Sequence, residues 1–194
     1  MKIVFLDFNG VLNDTSPKMD HLIDKLKHYH LLWILRLIRY DPLSIKAKYV
    51  KRLHKICRKT KAYVVVTDEC RGPWITMDPQ YIEGKYQKRI VKLLRRYHID
   101  ILGKTQYSSN KTRGEEIQTY IDRYKAYPNM IESFVILDDE VFDLYEKFPN
   151  HFIHTSKLVK PDDPYETTGL SKENVKRAIQ ILKKKKGRVV NGKR

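Results

Sequence analysis

The chain has 194 residues, of which 39 are Lys or Arg and 23 are Asp or Glu, so its net charge is +16. This length fits one domain with a single sizeable core, and two cysteines exclude a disulfide-dense scaffold or a cysteine-built zinc site. The positive charge indicates an anionic partner, with nucleic acid expected before an acidic membrane surface; a lysine-rich surface without a partner is the alternative. Since no signal peptide is recognised, we expect a cytoplasmic location.

The first predicted element is a short strand that ends in a carboxylate. Residues 3–6 form an apolar run typical of a covered strand in a parallel sheet, and Asp7 follows it. Open α/β sheets bind their ligands at the carboxyl ends of the strands. Because a buried carboxylate needs a cation or hydrogen-bond donors, Asp7 indicates a site; an aspartate that only caps a turn is the alternative.

Residues 14–40, which come after the first strand, do not fit the alternation of strands and helices in the rest of the chain. Leucine, isoleucine and Trp33 are mixed with basic residues between positions 21 and 40. The apolar run 31–35 is too short to cross a bilayer. We expect a helical insertion that forms a small cap over the site. There are two alternatives: a basic helix that lies on a membrane, or a contact between protein copies.

The rest of the chain alternates between helices and short apolar strands. Apolar residues at helical spacing predict helices at 45–57, 86–97, 115–126 and 171–182, with Ser171 as a cap and Cys57 in the core. Strands are predicted at 62–67, 98–102 and 151–154. This order predicts a Rossmann-like, doubly wound parallel sheet.

A second strand ends in carboxylates, far along the chain. Residues 133–137 are mostly apolar, and Asp138 and Asp139 follow. In one parallel sheet this strand end would meet Asp7 at the same edge. Clustered carboxylates repel one another and favour a hard divalent cation, most simply Mg²⁺. The alternative is that the pair only caps a helix at 140–147.

Several segments of the sequence resemble a known protein family. Residues 6–13 and 134–139 resemble the first and fourth motifs of haloacid dehalogenase-like (HAD) phosphatases. Together with segments 40–42, 64–71, 103–105, 113–117 and 168–172, they resemble more narrowly the HAD domain of "Swiss Army knife" RNA repair proteins. The resemblance implies that Asp7 attacks phosphorus and that Asp7, Asn9, Asp138 and Asp139 surround Mg²⁺.

The family's acid/base position differs in this chain. The superfamily places an aspartate two residues after the nucleophile, and Asn9 stands there. An amide forms hydrogen bonds but does not exchange a proton near neutral pH. The loss of general acid–base catalysis costs about 10²–10⁴-fold in rate. We therefore expect a weakened enzyme or a protein that only binds.

The resemblance implies further contacts with phosphate. Thr67 would hold a phosphate oxygen, with Gly10 and Arg71 nearby, although a strand-ending threonine is the alternative reading of Thr67. The third motif is a cation, for which the candidates are Lys104, Lys111 and Arg113. Lys111 and Arg113 are preferred, Lys111 first, because they lie closest to the start of the following helix; a surface role is the alternative for each.

The sequence thus predicts one domain over residues 1–186 and a flexible basic tail over 187–194. The predicted function is a Mg²⁺-dependent phosphohydrolase that forms an aspartyl-phosphate and acts on nucleic-acid ends or nucleotides. The alternatives are a catalytically silent module that binds phosphate or nucleic acid, and a protein that uses residues 21–40 for assembly.

Overall fold

The structure is a computed structural model that describes residues 1–13, 25–26, 28–30, 45–67, 84–124, 130–158, 166–167 and 169–184. Within these residues the strands are β1 (Lys2–Leu6), β2 (Ala62–Val66), β3 (Ile101–Lys104), β4 (Ser133–Asp138), β5 (Phe152–His154), β6 (Lys157–Leu158) and β7 (Glu166–Thr167). The helices are α1 (Ala47–Thr60), α2 (Lys85–Arg96), α3 (Arg113–Arg123), α4 (Leu144–Lys147) and α5 (Lys172–Lys183).

Five strands form one parallel sheet in the order β3-β2-β1-β4-β5. Strand β1 lies in the centre, where Leu6 pairs with Val66 on one side and with Leu137 on the other. Strands β6 and β7 form a separate antiparallel pair. The predicted doubly wound α/β fold is confirmed.

Side chains on the two faces of the sheet enter two separate cores, because successive residues of a strand point to opposite faces. On one face, Val4 and Leu6 pack against apolar stripes of α1, α2 and α5. On the other face, Ile3 and Phe5 pack with residues of α3 and α4. Covering both faces explains why the inner strands are apolar runs rather than alternating patterns.

Two elements begin several residues later than predicted, for local reasons. The strand predicted at 98–102 begins at Ile101, because His98 and Ile99 donate backbone hydrogen bonds to Arg95 and Leu94 and close the end of α2. The helix considered at 140–147 begins only at Leu144. At the start of the predicted helix, the Glu140 N–H donates a hydrogen bond to the Asp138 side chain.

Several predicted features lie outside the described residues. They include most of the insertion at 14–40, the loop that carries Arg71, and the tail at 187–194. From the insertion the structure describes residues 25–26 and 28–30, where Leu26 is buried and Tyr29 is exposed. The single-domain boundaries and the role of residues 21–40 therefore stay predictions.

Candidate functional site

The carboxyl edge of the sheet carries one polar residue from each of its five strands. Asp7, Thr67, Thr105 and Thr155 each directly follow a strand, and Asp138 ends β4. The backbone N–H groups of the first four extend the sheet ladder with bonds of 2.9–3.0 Å to the neighbouring strand. All five side chains are buried. This row of buried polar groups marks the edge at which open α/β sheets bind ligands.

The chain turns sharply after β1, and the turn is held from three sides. Gly10 has φ +60°, a conformation that glycine adopts at no steric cost. Its N–H donates to Asn13 Oδ1 at 2.6 Å, and its carbonyl accepts from Thr155 Oγ1 and from the Gly169 N–H. A Cβ at Gly10 would lie 1.9 Å from Asp139 Oδ2. A glycine is therefore required beside the carboxylates.

Asp7, Asp138 and Asp139 form one carboxylate cluster, in which one oxygen of each lies within 4.8 Å of the others. Asp138 is 1 % exposed and Asp7 is 5 % exposed. Asp138 Oδ1 accepts the Glu140 N–H, whereas Oδ2 accepts no hydrogen bond from the described residues. The three carboxylates offer oxygen ligands, and one of these oxygens, Asp138 Oδ2, is buried and accepts no hydrogen bond from the described residues. This arrangement fits a hard divalent cation such as Mg²⁺.

Arg113 is a basic residue that reaches the cluster. Its Nη2 lies 3.7 Å from Asp7 Oδ1, and its Nε lies 3.8 Å from Asp138 Oδ2. The side chain is buried, and its Nη1 has no hydrogen-bond partner among the described residues. Phe142 covers the guanidinium, with the ring centroid 5.3 Å from Cζ. Arg113 thus balances two carboxylates and retains a donor for a further acceptor.

The start of α3 fixes the position of Arg113. Thr112 and Glu115 form a reciprocal capping box at this helix end. Asp143, on the loop after β4, accepts hydrogen bonds from the Thr112 hydroxyl and from the Gly114 N–H. Lys147 pairs with Asp143 at 3.0 Å. The residues on either side of Arg113 are therefore tied to the loop that follows Asp138 and Asp139.

Burial raises the pKa of Asp138 from 3.8 to about 7, against the opposing effect of Arg113. A metal ion binds the carboxylate form. Above pH 7 Asp138 is therefore ready to bind a cation, and below pH 7 a proton competes with the cation.

The remaining predicted site residues lie at different distances from this cluster. Asn9 belongs to the turn, where its Oδ1 accepts from Asn13 Nδ2 at 3.3 Å, and Thr67 lies in the polar row. Lys104 is the last residue of β3. Lys111, the preferred third-motif cation, donates from Nζ to Thr119 Oγ1 at 3.0 Å on the exposed side of α3. The role predicted for each stays a prediction.

Three residues of this edge were missed by the sequence reasoning. Thr105, Thr155 and Asn13 are all buried. Thr105 Oγ1 has no hydrogen-bond partner among the described residues, whereas Thr155 and Asn13 hold the Gly10 turn. The position directly after a predicted strand, which was the signal used for Asp7, would have signalled Thr155. It would not have signalled Thr105, because the strand predicted at 98–102 ends before the observed β3 does.

A cleft of about 500 Å³ adjoins Arg113 on the side of Phe142. Its walls come from the loop before α3 and the loop after β4. Tyr107 and Phe142 are 62 % and 47 % exposed there. Phe142 also has φ +41°, an uncommon conformation for a bulky residue, which often marks a functional position.

Comparison with protein families gives one match that covers most of the chain. Residues 3–175 match the family model described as the HAD domain in Swiss Army Knife RNA repair proteins. No match was found among curated proteins or among solved structures. No helix within the described residues is long and apolar enough to span a membrane. The chain therefore belongs to the family of HAD domains found in Swiss Army Knife RNA repair proteins.

Proposed function

We propose that the chain is a Mg²⁺-dependent phosphohydrolase that cleaves phosphate monoesters at nucleic-acid ends or on nucleotides. The observation that supports this most is the meeting of Asp7, Asp138 and Asp139 beside the buried Arg113. Phosphoryl transfer needs little beyond a positioned nucleophile and compensation of negative charge. The cluster offers the nucleophile, the ligands for a cation and a fixed guanidinium.

In the proposed reaction Asp7 attacks phosphorus. A bond forms between its carboxylate oxygen and phosphorus while the bond to the leaving oxygen breaks. Arg113 offers its Nη1 donor to a phosphoryl oxygen, and the hydroxyl of Thr67 holds another. Mg²⁺, held by Asp7, Asp138 and Asp139, supplies positive charge beside the transferring group when bound. Water then attacks the aspartyl-phosphate and releases inorganic phosphate.

Asn9 slows both halves of this reaction. The leaving oxygen takes its proton from solvent, because the amide has none to give near neutral pH. The water that attacks the intermediate likewise meets no general base at position 9. Activated leaving groups depart more readily than alkyl oxygens, so the aspartyl-phosphate forms faster from them than it is hydrolysed. The intermediate is expected to accumulate.

The cleft beside Arg113 suits the leaving group. Its volume of about 500 Å³ lies in the range of small-molecule sites. Exposed aromatic rings such as those of Tyr107 and Phe142 stack on nucleobases, with about 1–3 kcal/mol per base. We therefore place the nucleoside next to the reacting phosphate in this cleft.

Phosphate release from end-phosphorylated oligonucleotides and mononucleotides tests the proposal. We expect slow release with Mg²⁺, none with a chelator and none from Asp7→Asn, which keeps the side-chain shape but removes the nucleophile. Glycerol phosphate, which lacks a ring, should react more slowly than a mononucleotide. Equal release by Asp7→Asn and the unchanged chain would contradict the proposal.

A catalytically silent module that binds phosphate is the second candidate, and Asn9 is the observation that favours it. Such a module would bind end-phosphorylated oligonucleotides in the same assay without releasing phosphate. Asn9→Asp would then leave the release of phosphate at background.

A further inference from the structure

Among the helices that the structure describes, basic residues are distributed unequally between the two faces of the sheet. Helix α1 contains six Lys or Arg and α2 also contains six, and neither contains an acidic residue. Helix α5 adds four against the single acid Glu173. On the opposite face, α3 has two basic and three acidic residues and α4 has one of each. A general enrichment in lysine would make both faces basic.

The three basic helices lie over the same face of the sheet. Their apolar stripes enter the same core, and α5 packs beside α1. Exposed basic residues on these helices include Lys51, Lys55, Lys59, Lys92, Lys176 and Arg177. We call the outer surface of α1, α2 and α5 the basic face.

The basic face begins next to the candidate site. The Lys46 N–H, at the start of α1, bonds to the Leu12 carbonyl of the turn after Asp7, and Leu170, just before α5, bonds to the Val11 carbonyl. From there α1 extends for about 20 Å at 1.5 Å per residue. At 3.4 Å per step along one strand, this length corresponds to about six phosphates of a duplex.

The chemistry of the basic face fits a polyanion backbone better than a lipid surface. Membrane-surface helices bury an exposed apolar side in the bilayer. Here the apolar sides of the three helices are buried in the core, as for Leu53 and Leu94. Among the described residues, no large exposed apolar side chain belongs to these helices. Attraction between charges alone is how proteins hold nucleic-acid phosphates without reading sequence.

We infer that the basic face is a docking surface for a nucleic-acid backbone. The face would guide the nucleic acid towards the carboxylate cluster at the edge of the sheet. The inference deepens the proposed function, on which it rests for the choice of partner. It concerns binding by residues that are not part of the carboxylate cluster. Its test therefore measures binding and not turnover.

The probe is a fluorescently labelled RNA duplex of about 20 base pairs without a terminal phosphate, so the carboxylate site has no substrate group to bind. The face variant is Lys51→Gln, Lys55→Gln and Lys176→Gln together. The matched control replaces basic residues away from this face with Lys2→Gln and Arg123→Gln, and it is compared with the face pair Lys51→Gln and Lys176→Gln, which removes the same charge. Circular dichroism verifies that these variants are folded, and affinity is measured over a range of salt concentrations.

We expect the face variant to bind at least about tenfold more weakly than the unchanged chain at low salt. The slope of log affinity against log salt should decrease by about 0.9 for each lost phosphate contact. The control variant should stay within about threefold of the unchanged chain. Equal losses in the face pair and its matched control would overturn the inference, because overall charge would then explain binding.

Vesicles that contain anionic lipids form the second arm of the experiment. Binding to these vesicles that depends on the face residues, combined with RNA binding that does not, would also overturn the inference. Face-dependent RNA binding by a chain that releases no phosphate would support the inference and contradict the proposed phosphohydrolase. Phosphate release by a chain whose RNA binding does not depend on the face residues would support the proposed phosphohydrolase and contradict the inference.

Discussion

Replacing Asn9 with aspartate should raise the rate of phosphate release by about 10²–10⁴-fold. The substitution restores a group that can protonate the leaving oxygen and then activate water. The turn should accept it, because an aspartate at position 9 keeps an oxygen that can accept from Asn13 Nδ2. Steady-state release from a mononucleotide in the presence of Mg²⁺ measures the effect.

Asn9→Ser is the matched control, because serine does not act as an acid or base near neutral pH and should give no rise. Intact-mass analysis after acid quenching adds a second readout. The unchanged chain should carry one phosphoryl group after reaction with an activated aryl phosphate, whereas Asn9→Asp should carry much less. A rate unchanged by Asn9→Asp would eliminate the phosphohydrolase and favour the binding module.

Removing the guanidinium of Arg113 should lower turnover by about 10²–10³-fold. This is the loss expected when an enzyme loses one preorganised hydrogen-bond donor to the charge that develops in the transition state. The variant is Arg113→Met, made in the Asn9→Asp background so that the loss can be measured. Arg113 lies within 3.8 Å of Asp7 and Asp138, whereas Lys111 bonds to Thr119. We therefore expect a much smaller loss from Lys111→Met.

Metal affinity separates a catalytic role of Arg113 from a role in building the site. Removing a positive charge beside three carboxylates should leave Mg²⁺ affinity unchanged or tighter. The lost turnover should therefore not return at high Mg²⁺ concentration. Recovery at high Mg²⁺, or a larger loss from Lys111→Met than from Arg113→Met, would contradict this assignment.

The position of the carboxylate cluster could be predicted from the sequence because it depends on one rule. Two apolar strands that end in Asp7 and Asp138 must meet at one edge if the sheet is parallel and the strands are neighbours. The helix–strand alternation predicted the parallel sheet, and the pairing of β1 with β4 places the two residues together. The fold and the meeting of the carboxylates therefore follow from the helix–strand alternation together with the strand ends.

The contact of Arg113 with Asp7 and Asp138 depends on tertiary structure and could not be predicted in this way. Position along the chain placed Lys111 and Arg113 near the start of the same helix and put Lys111 first, and the role of each stays a prediction. What places Arg113 is Asp143, which binds the Gly114 N–H from a different loop and fixes where the helix begins. The basic face was hidden for a similar reason, since net charge does not show which helices share a side of the sheet.

Calorimetric titration with Mg²⁺ tests the central claim, that Asp7, Asp138 and Asp139 hold one divalent cation. We expect a single site at pH 8 that is lost in Asp138→Asn. Because the pKa of Asp138 is raised to about 7, affinity should fall about tenfold at pH 6, with release of about one proton per ion bound. Undiminished Mg²⁺ binding by Asp138→Asn at pH 8 would contradict the account.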